Sequence, residues 1–188
     1  KFMYWLKNNI GKIEITELSA ADKITELRRE QGKFIEESFG TIAGYASNGA
    51  IIHYSVTKES NTTLKDRGLF LLDSGGQYFD GTTDITRTFA LGELTKEEKY
   101  HFTTVARAMI RLSDVKFLHG VNGYYLDILA RGILWNEGLN YNHGTGHGVG
   151  HVLNVHEGPN GFRLDNKESA ILEDGMITTN EPGFYKAG

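Results

Sequence analysis

The stretch HGTGHGVGH, residues 143–151, constrains the fold more than any other part of the sequence. In a helix, His143 and His147 would lie on one face and could share a metal ion. In a strand they would share a face but stand about 13 Å apart, too far for one ion with metal–nitrogen bonds of about 2 Å. Because four interleaved glycines would cost a helix about 4 kcal/mol, we expect a strand in which one histidine binds metal and another acts nearby.

Composition narrows the class of protein. The chain has 188 residues, of which 39% are hydrophobic and 23% charged, with a net charge of −4. These values are typical of a soluble domain, and the charge argues against nucleic-acid and anionic-membrane partners. Since the sequence has no cysteine and no apolar run of about 18 residues, it excludes thiolate chemistry and a membrane span.

We interpret residues 1–188 as a single catalytic domain. The sequence starts at Lys1 with an apolar pattern already under way and stops after a predicted strand. We therefore expect a fragment that lacks the N-terminal domains and the C-terminal strands of a longer protein. Because no signal peptide is visible, we expect a cytoplasmic location.

Hydrophobic periodicity predicts four helices, at residues 2–10, 20–31, 96–114 and 124–137. Ser19 is the expected N-cap of the second helix, and Thr95 with Glu98 forms a capping box for the third. The residues expected to face inward from the third helix are Phe102, Val105, Ala106, Met109 and Ile110.

Alternating and apolar stretches predict strands at residues 41–47, 50–57, 68–76, 82–91, 151–159 and 175–185. The helices are grouped in the middle of the strand order. The sequence therefore predicts an α+β fold, with helices covering one face of a mainly antiparallel sheet.

Two aspartates, Asp73 and Asp84, fall on neighbouring predicted strands. A loop centred on Tyr78-Phe79 would place them directly opposite each other. A turn at Asp80-Gly81 would leave them four positions out of step and require a bulge. Either arrangement presents two carboxylates on one face, where a divalent cation would offset their repulsion. Asp80 itself is explained by turn chemistry.

Other candidates allow two interpretations each. Glu181 precedes Pro182, which favours an extended backbone and fixes the side-chain direction, but a strand-end glutamate is also an ordinary solvated residue. His53, in a predicted apolar strand, fits a core histidine as well as a functional one. Arg87 could pair with a site acid or be exposed, and Asp127 is expected to be a solvated or capping charge.

The ordered segments LLDSGGQYFDGTTDITRT, HGTGHGVGH, NVHEGP and TTNEPGFY resemble the catalytic domain of Xaa-Pro aminopeptidases. These enzymes are metallopeptidases of the pita-bread fold, which also includes prolidase and methionine aminopeptidase. The likeness extends from about residue 13 to the end of the sequence. It implies a curved, mainly antiparallel sheet covered by helices.

The resemblance also implies two divalent metal ions, with manganese preferred and zinc or cobalt as alternatives. Asp73 would bind one ion, Asp84 would bridge both, and His147 and Glu181 would bind the second. His53, His143 and His156 would donate hydrogen bonds or handle protons near the substrate, while His151 would be structural. Glu181 would combine its ligand role with a catalytic one.

The function implied is hydrolysis of the N-terminal Xaa-Pro peptide bond by a hydroxide that bridges the two ions. The partner would be a peptide with proline in second position, and a homodimer is compatible with the full-length protein. A second bridging glutamate is expected beyond Gly188, so we expect this fragment to be inactive or weakly metallated. The alternatives are a prolidase or methionine aminopeptidase of the same fold, or a non-catalytic peptide-binding module.

Overall fold

The structure is a computed structural model that describes residues 1–187. It contains two compact units, one formed by Lys1–Thr95 with residues 185–187 and the other by residues 96–184. No helix within residues 1–187 is long and apolar enough to cross a bilayer. The assignment of residues 1–188 to one domain stays a prediction.

The first unit begins with helices α1 (Phe2–Asn9) and α2 (Glu17–Arg29), followed by strands β1 (Phe34–Glu37) and β2 (Ile42–Tyr45). A 3₁₀ helix, Ala46–Ala50, and a long loop lead to β3 (Leu69–Tyr78) and β4 (Gly81–Ala90). Both predicted helices are confirmed. The cap of α2 is Thr16 rather than Ser19, because Ser19 is the third helical residue and completes a capping box with Thr16.

Strand β3 is the centre of an antiparallel sheet. β1 and β2 pair with successive parts of one edge of β3, and β4 pairs with the other edge along its full length. Side chains of α1, α2, the sheet and the segments that connect them form a hydrophobic core, whose fully buried members include Leu6, Ile15, Ala20, Ala43 and Phe70. The sheet therefore holds the β3–β4 hairpin, and its aspartates, on a rigid support.

The strand predicted at residues 50–57 is wrong. Residues 46–50 form the 3₁₀ helix and the following residues turn, with His53 exposed and at a φ of 56°. The cause is a long-range contact, since the buried carboxylate of Glu17 accepts hydrogen bonds from the amides of Tyr45 (2.7 Å) and Thr62 (2.9 Å) at either end of this loop. No local hydrophobic pattern indicates such a tether.

The second unit packs helix α3 (Lys96–Ser113) against α4 (Gly123–Trp135), followed by the antiparallel pair β5 (Gly146–Val149) and β6 (His156–Phe162). The buried residues of α3 are Thr104, Ala108 and Leu112. The inward face predicted for this helix is wrong, because Phe102 and Ile110 are exposed. The buried face of α3 instead carries the small side chains of Thr104 and Ala108.

Candidate metal centre

The β3–β4 hairpin places Asp73 and Asp84 on one face of its sheet. Tyr78 pairs with Gly81, so the turn consists of Phe79 and Asp80, which lies between the two turns considered from sequence. Asp84 pairs with Gly75, two residues from Asp73 on the same strand and hence on the same face. The aspartates are therefore diagonal neighbours, whose spacing of about 7–8 Å is close enough for two carboxylates to bind a pair of ions.

Two other charged residues of the hairpin, Asp80 and Arg87, lie outside the site. Asp80 sits in the turn, is exposed, and pairs with Lys33 at 2.7 Å. Arg87 is exposed and donates to the main-chain oxygen of Thr86, which favours its interpretation as an exposed residue over one that pairs with a site acid.

A buried arginine lies under the strand that carries Asp73, and sequence reasoning missed it. Nη2 of Arg28 donates to the main-chain oxygen of Ser74 at 3.1 Å and to its hydroxyl at 3.0 Å. Burial lowers the pKa of the Arg28 guanidinium, against the raising effect of Tyr78, Glu37 and Asp73. Its positive charge interacts with the carboxylate of Asp73. The sequence did not indicate that Arg28 is buried, because an arginine among the polar residues of α2 is expected to be solvent-exposed.

In the second unit, His147 has the geometry of a metal-binding imidazole. Its Nδ1 lies 2.7 Å from the carbonyl oxygen of Gly148, which can only accept, so Nδ1 carries the hydrogen. The lone pair of a neutral ring is then on Nε2, which lies 3.0 Å from Oε1 of Glu181. Metal-ligating histidines commonly donate their other ring N–H to a backbone carbonyl in this way.

The carboxylate of Glu181 is held in its ionised form. Burial alone would raise the pKa of Glu181, but the contact with His147, the hydrogen bond from Thr179 and the positive charge that His147 and His143 carry when protonated lower it below its usual value. An ionised carboxylate and an imidazole lone pair in contact repel each other unless a proton or a metal cation lies between them. The residues present therefore fit a divalent cation at this point.

Main-chain hydrogen bonds fix this pair of side chains. The amide of Thr179 donates to the oxygen of His147 at 2.8 Å, and the amide of Glu181 donates to the oxygen of Thr145 at 2.7 Å. The segment around Glu181 thus runs beside β5, although only an isolated bridge, Gly148 with Thr178, connects it as strand pairing. The strand predicted at 175–185 is therefore wrong as a regular strand within the described residues, where Thr178 alone forms a bridge.

The glycines of β5 allow this close packing. A Cβ at Gly146 would lie 2.0 Å from the main-chain oxygen of Thr179, and one at Gly148 would lie 2.2 Å from that of Glu157. Both distances are far below contact, so only glycine fits between the neighbouring backbones. The strand predicted for the HGTGHGVGH stretch is confirmed for Gly146–Val149, and no helix forms there.

The other three candidate histidines, His53, His143 and His156, differ in their surroundings. The ring of His156 is 4.0 Å from that of His147, centroid to centroid, and His156 is exposed. His143 packs on Tyr141 at 4.9 Å, and its Nδ1 donates to the oxygen of Gly144. The second unit thus brings His143, His147, His156 and Glu181 into one region. His53 lies in the loop of the first unit, in the turn described above.

Comparison with known proteins gives consistent matches. The sequence pattern of metallopeptidase family M24 matches residues 1–188 of this chain. Aminopeptidase P2 of Arabidopsis thaliana is 47% identical over 98% of this chain, which spans 26% of that relative. This chain also resembles the crystal structure of X-prolyl aminopeptidase from Caenorhabditis elegans, which is described as a cytosolic enzyme with a di-nuclear active site. The two superpose with a TM-score of 0.93 at 42% sequence identity, and the match covers 98% of this chain and 30% of the C. elegans chain. Prolidase from Thermococcus sibiricus gives 0.84 at 29% identity, over 100% of this chain and 49% of that one.

Proposed function

Because this chain belongs to metallopeptidase family M24, we propose that it is part of a metal-dependent aminopeptidase that removes the N-terminal residue from peptides with proline in second position. The pita-bread fold expected from the sequence is confirmed by the likeness to the C. elegans enzyme. Since the chain spans 26% of the Arabidopsis relative, the activity proposed is that of the whole protein. The contact between His147 and Glu181 is the observation that carries a metal-dependent mechanism.

We propose Asp73, Asp84, His147 and Glu181 as ligands of two divalent ions, with manganese preferred over zinc or cobalt. The carboxylate and imidazole donors suit all three metals. When bound, two such ions lower the pKa of a water molecule and polarise the carbonyl group of the substrate.

The protein's own groups then serve the substrate. We propose that His156, exposed beside His147, donates a hydrogen bond to the oxygen of the scissile carbonyl, and that His53 donates a second one. Glu181, whose lowered pKa keeps it ionised, would accept a proton from the attacking water and pass it to the leaving proline nitrogen as the peptide bond breaks. His143 is the alternative proton donor, because its charge acts on the same carboxylate.

The rival functions use the same donors. A prolidase cleaves the dipeptide Xaa-Pro and an aminopeptidase cleaves the longer Xaa-Pro-Yaa, so turnover of one against the other separates them. The higher identity to the X-prolyl aminopeptidase (42%) than to the Thermococcus prolidase (29%) supports the aminopeptidase. A methionine aminopeptidase would instead require methionine as the residue that is removed. A non-catalytic peptide-binding module would bind Xaa-Pro peptides without hydrolysing them.

Substitution of Asp84 by Asn in the full-length protein tests the proposal. Replacing a bridging carboxylate by a neutral amide should lower hydrolysis of Xaa-Pro-Yaa with added Mn²⁺ by about 100-fold or more. Asp80→Asn is the matched control, since Asp80 lies in the turn of the same hairpin and pairs only at the surface with Lys33. Undiminished turnover in Asp84→Asn would refute the assignment.

We propose a cytoplasmic location, in line with the description of the C. elegans relative as cytosolic. The Xaa-Pro peptide is the proposed partner, on the basis of the relatives' names. A homodimer, and the weak metal occupancy expected of this stretch of chain on its own, stay predictions.

A further inference from the structure

A buried polar cluster connects α4 to the segment that leads into β5. Asp127 and Arg131 lie one turn apart on α4 and are 0% and 5% exposed. Nε of Arg131 lies 2.7 Å from Oδ2 of Asp127, and Nη2 lies 3.3 Å from Oδ1. Asp127 is therefore not the solvated charge expected from its sequence pattern. Two charges this deeply buried need a full set of partners, so each of their contacts is informative.

The other donors of Arg131 are directed to the main chain that precedes β5. Nη1 donates to the oxygen of Tyr141 at 2.6 Å, and Nη2 donates to the oxygen of His143 at 3.2 Å. The guanidinium also lies over the ring of Tyr141, with its central carbon 4.0 Å from the ring centroid. The planar fork of arginine thus holds two alternate carbonyl groups at a fixed separation, which a lysine could not do.

Thr145 joins this cluster to the proposed ligands. Its side chain is completely buried, and its hydroxyl donates to Oδ1 of Asp127 at 2.5 Å. Its main-chain oxygen accepts the amide of Glu181 at 2.7 Å, and His147 follows two residues later. The position of one threonine is therefore coupled both to the buried ion pair and to the backbone of Glu181.

We propose that Asp127, Arg131 and Thr145 are positioning residues that set the spacing between His147 and Glu181. The inference rests on the proposed role of those two residues as metal ligands. The cluster acts through the backbone, at the oxygens of residues 141, 143 and 145, and does not itself donate to the metal. Outer groups that orient ligands in this way typically change metal affinity by about 10-fold to 100-fold when they are removed.

The test is Thr145→Val in the full-length protein, with Thr145→Ser as the matched control. Valine keeps the shape of threonine but removes the hydroxyl that reaches Asp127, whereas serine keeps it. Two quantities are measured: Mn²⁺ affinity by titration calorimetry, and hydrogen exchange of the metal-free protein by mass spectrometry over a peptide that contains Glu181. Asp127→Asn is measured in the same way, so that the test does not depend on the folding of one variant.

We expect Thr145→Val and Asp127→Asn to weaken Mn²⁺ binding by about tenfold or more and to speed exchange at the Glu181 amide, with Thr145→Ser close to the parent protein. Parent-like affinity in the folded variants would overturn the proposal. So would a loss of affinity with unchanged exchange, because Glu181 would then have kept its position. A parent protein that binds no Mn²⁺ would instead refute the proposed function, and the exchange data alone would decide whether the cluster positions Glu181.

Discussion

The buried carboxylate of Glu17 gives the sharpest prediction for the first unit. Its Oε1 accepts the amide of Tyr45 at 2.7 Å, and its Oε2 accepts the amide of Thr62 at 2.9 Å. The side-chain amide of Asn48 donates to both oxygens at 3.1 Å, and the hydroxyl of Tyr54 approaches Oε2 at 3.3 Å. One fully buried side chain therefore closes the loop of residues 46–61 at both ends.

Glu17→Gln would break this closure whichever way the new amide points. If the NH₂ group replaces Oε1, the amide of Tyr45 loses its acceptor, and if it replaces Oε2, the amide of Thr62 does. An orphaned buried amide costs about 1–3 kcal/mol, and the remaining hydrogen bonds weaken as the acceptor loses its charge. After allowing for the lower burial cost of a neutral group, we expect local stability to fall by about 2–4 kcal/mol.

Hydrogen exchange over residues 46–61 measures this loss directly, because a fall of 2 kcal/mol makes local opening about 30 times more frequent. Glu26→Gln is the control on the same helix, since Glu26 is exposed and pairs only with Lys23. Peptide turnover should also fall in Glu17→Gln if His53, which this loop carries, contacts the substrate. Exchange over residues 46–61 that matches the parent protein would refute the reasoning.

Two further predictions concern the free energy of unfolding, and each compares one substitution with a second that should cost less. Arg131→Met should lower the free energy of unfolding by about 3–5 kcal/mol, because it leaves the buried carboxylate of Asp127 without its ion-pair partner. Arg163→Met removes an exposed ion pair with Asp165 and should cost less than about 1 kcal/mol. Thr16→Ala should cost about 1 kcal/mol in urea unfolding by removing the N-cap of α2; a larger loss in Ser19→Ala would contradict this assignment of the cap.

The hairpin that carries Asp73 and Asp84 was predictable because its strands alternate and its turn residues are typical. The register was not, since a shift of the turn by one residue moves the pairing by two, and both Tyr78-Phe79 and Asp80-Gly81 are acceptable turns locally. The structure places the turn at Phe79 and Asp80. Tertiary contacts of β3 with β1 and β2 settle what the turn sequence leaves open.

The residues missed by sequence reasoning are buried charges. Glu17, Arg28 and Asp127 each occupy a helix position that a polar pattern assigns to solvent, yet each is buried and hydrogen-bonded to a distant part of the chain. Their partners lie 18 to 46 residues away in sequence. Periodicity reports only neighbours on the same element, so it has no information about such pairs.

The glycine positions before and within β5 differ in how freely they could vary. At Gly146 a side chain would meet the main-chain oxygen of Thr179, which cannot retreat without pulling Glu181 away from His147. At Gly144 it would meet only the flexible side chain of Arg163, which can swing aside. A library that randomises residues 144 and 146 should therefore recover active clones with many residues at 144 and with glycine alone at 146. Of these two positions, only the one that precedes β5 is open to changes that retune specificity.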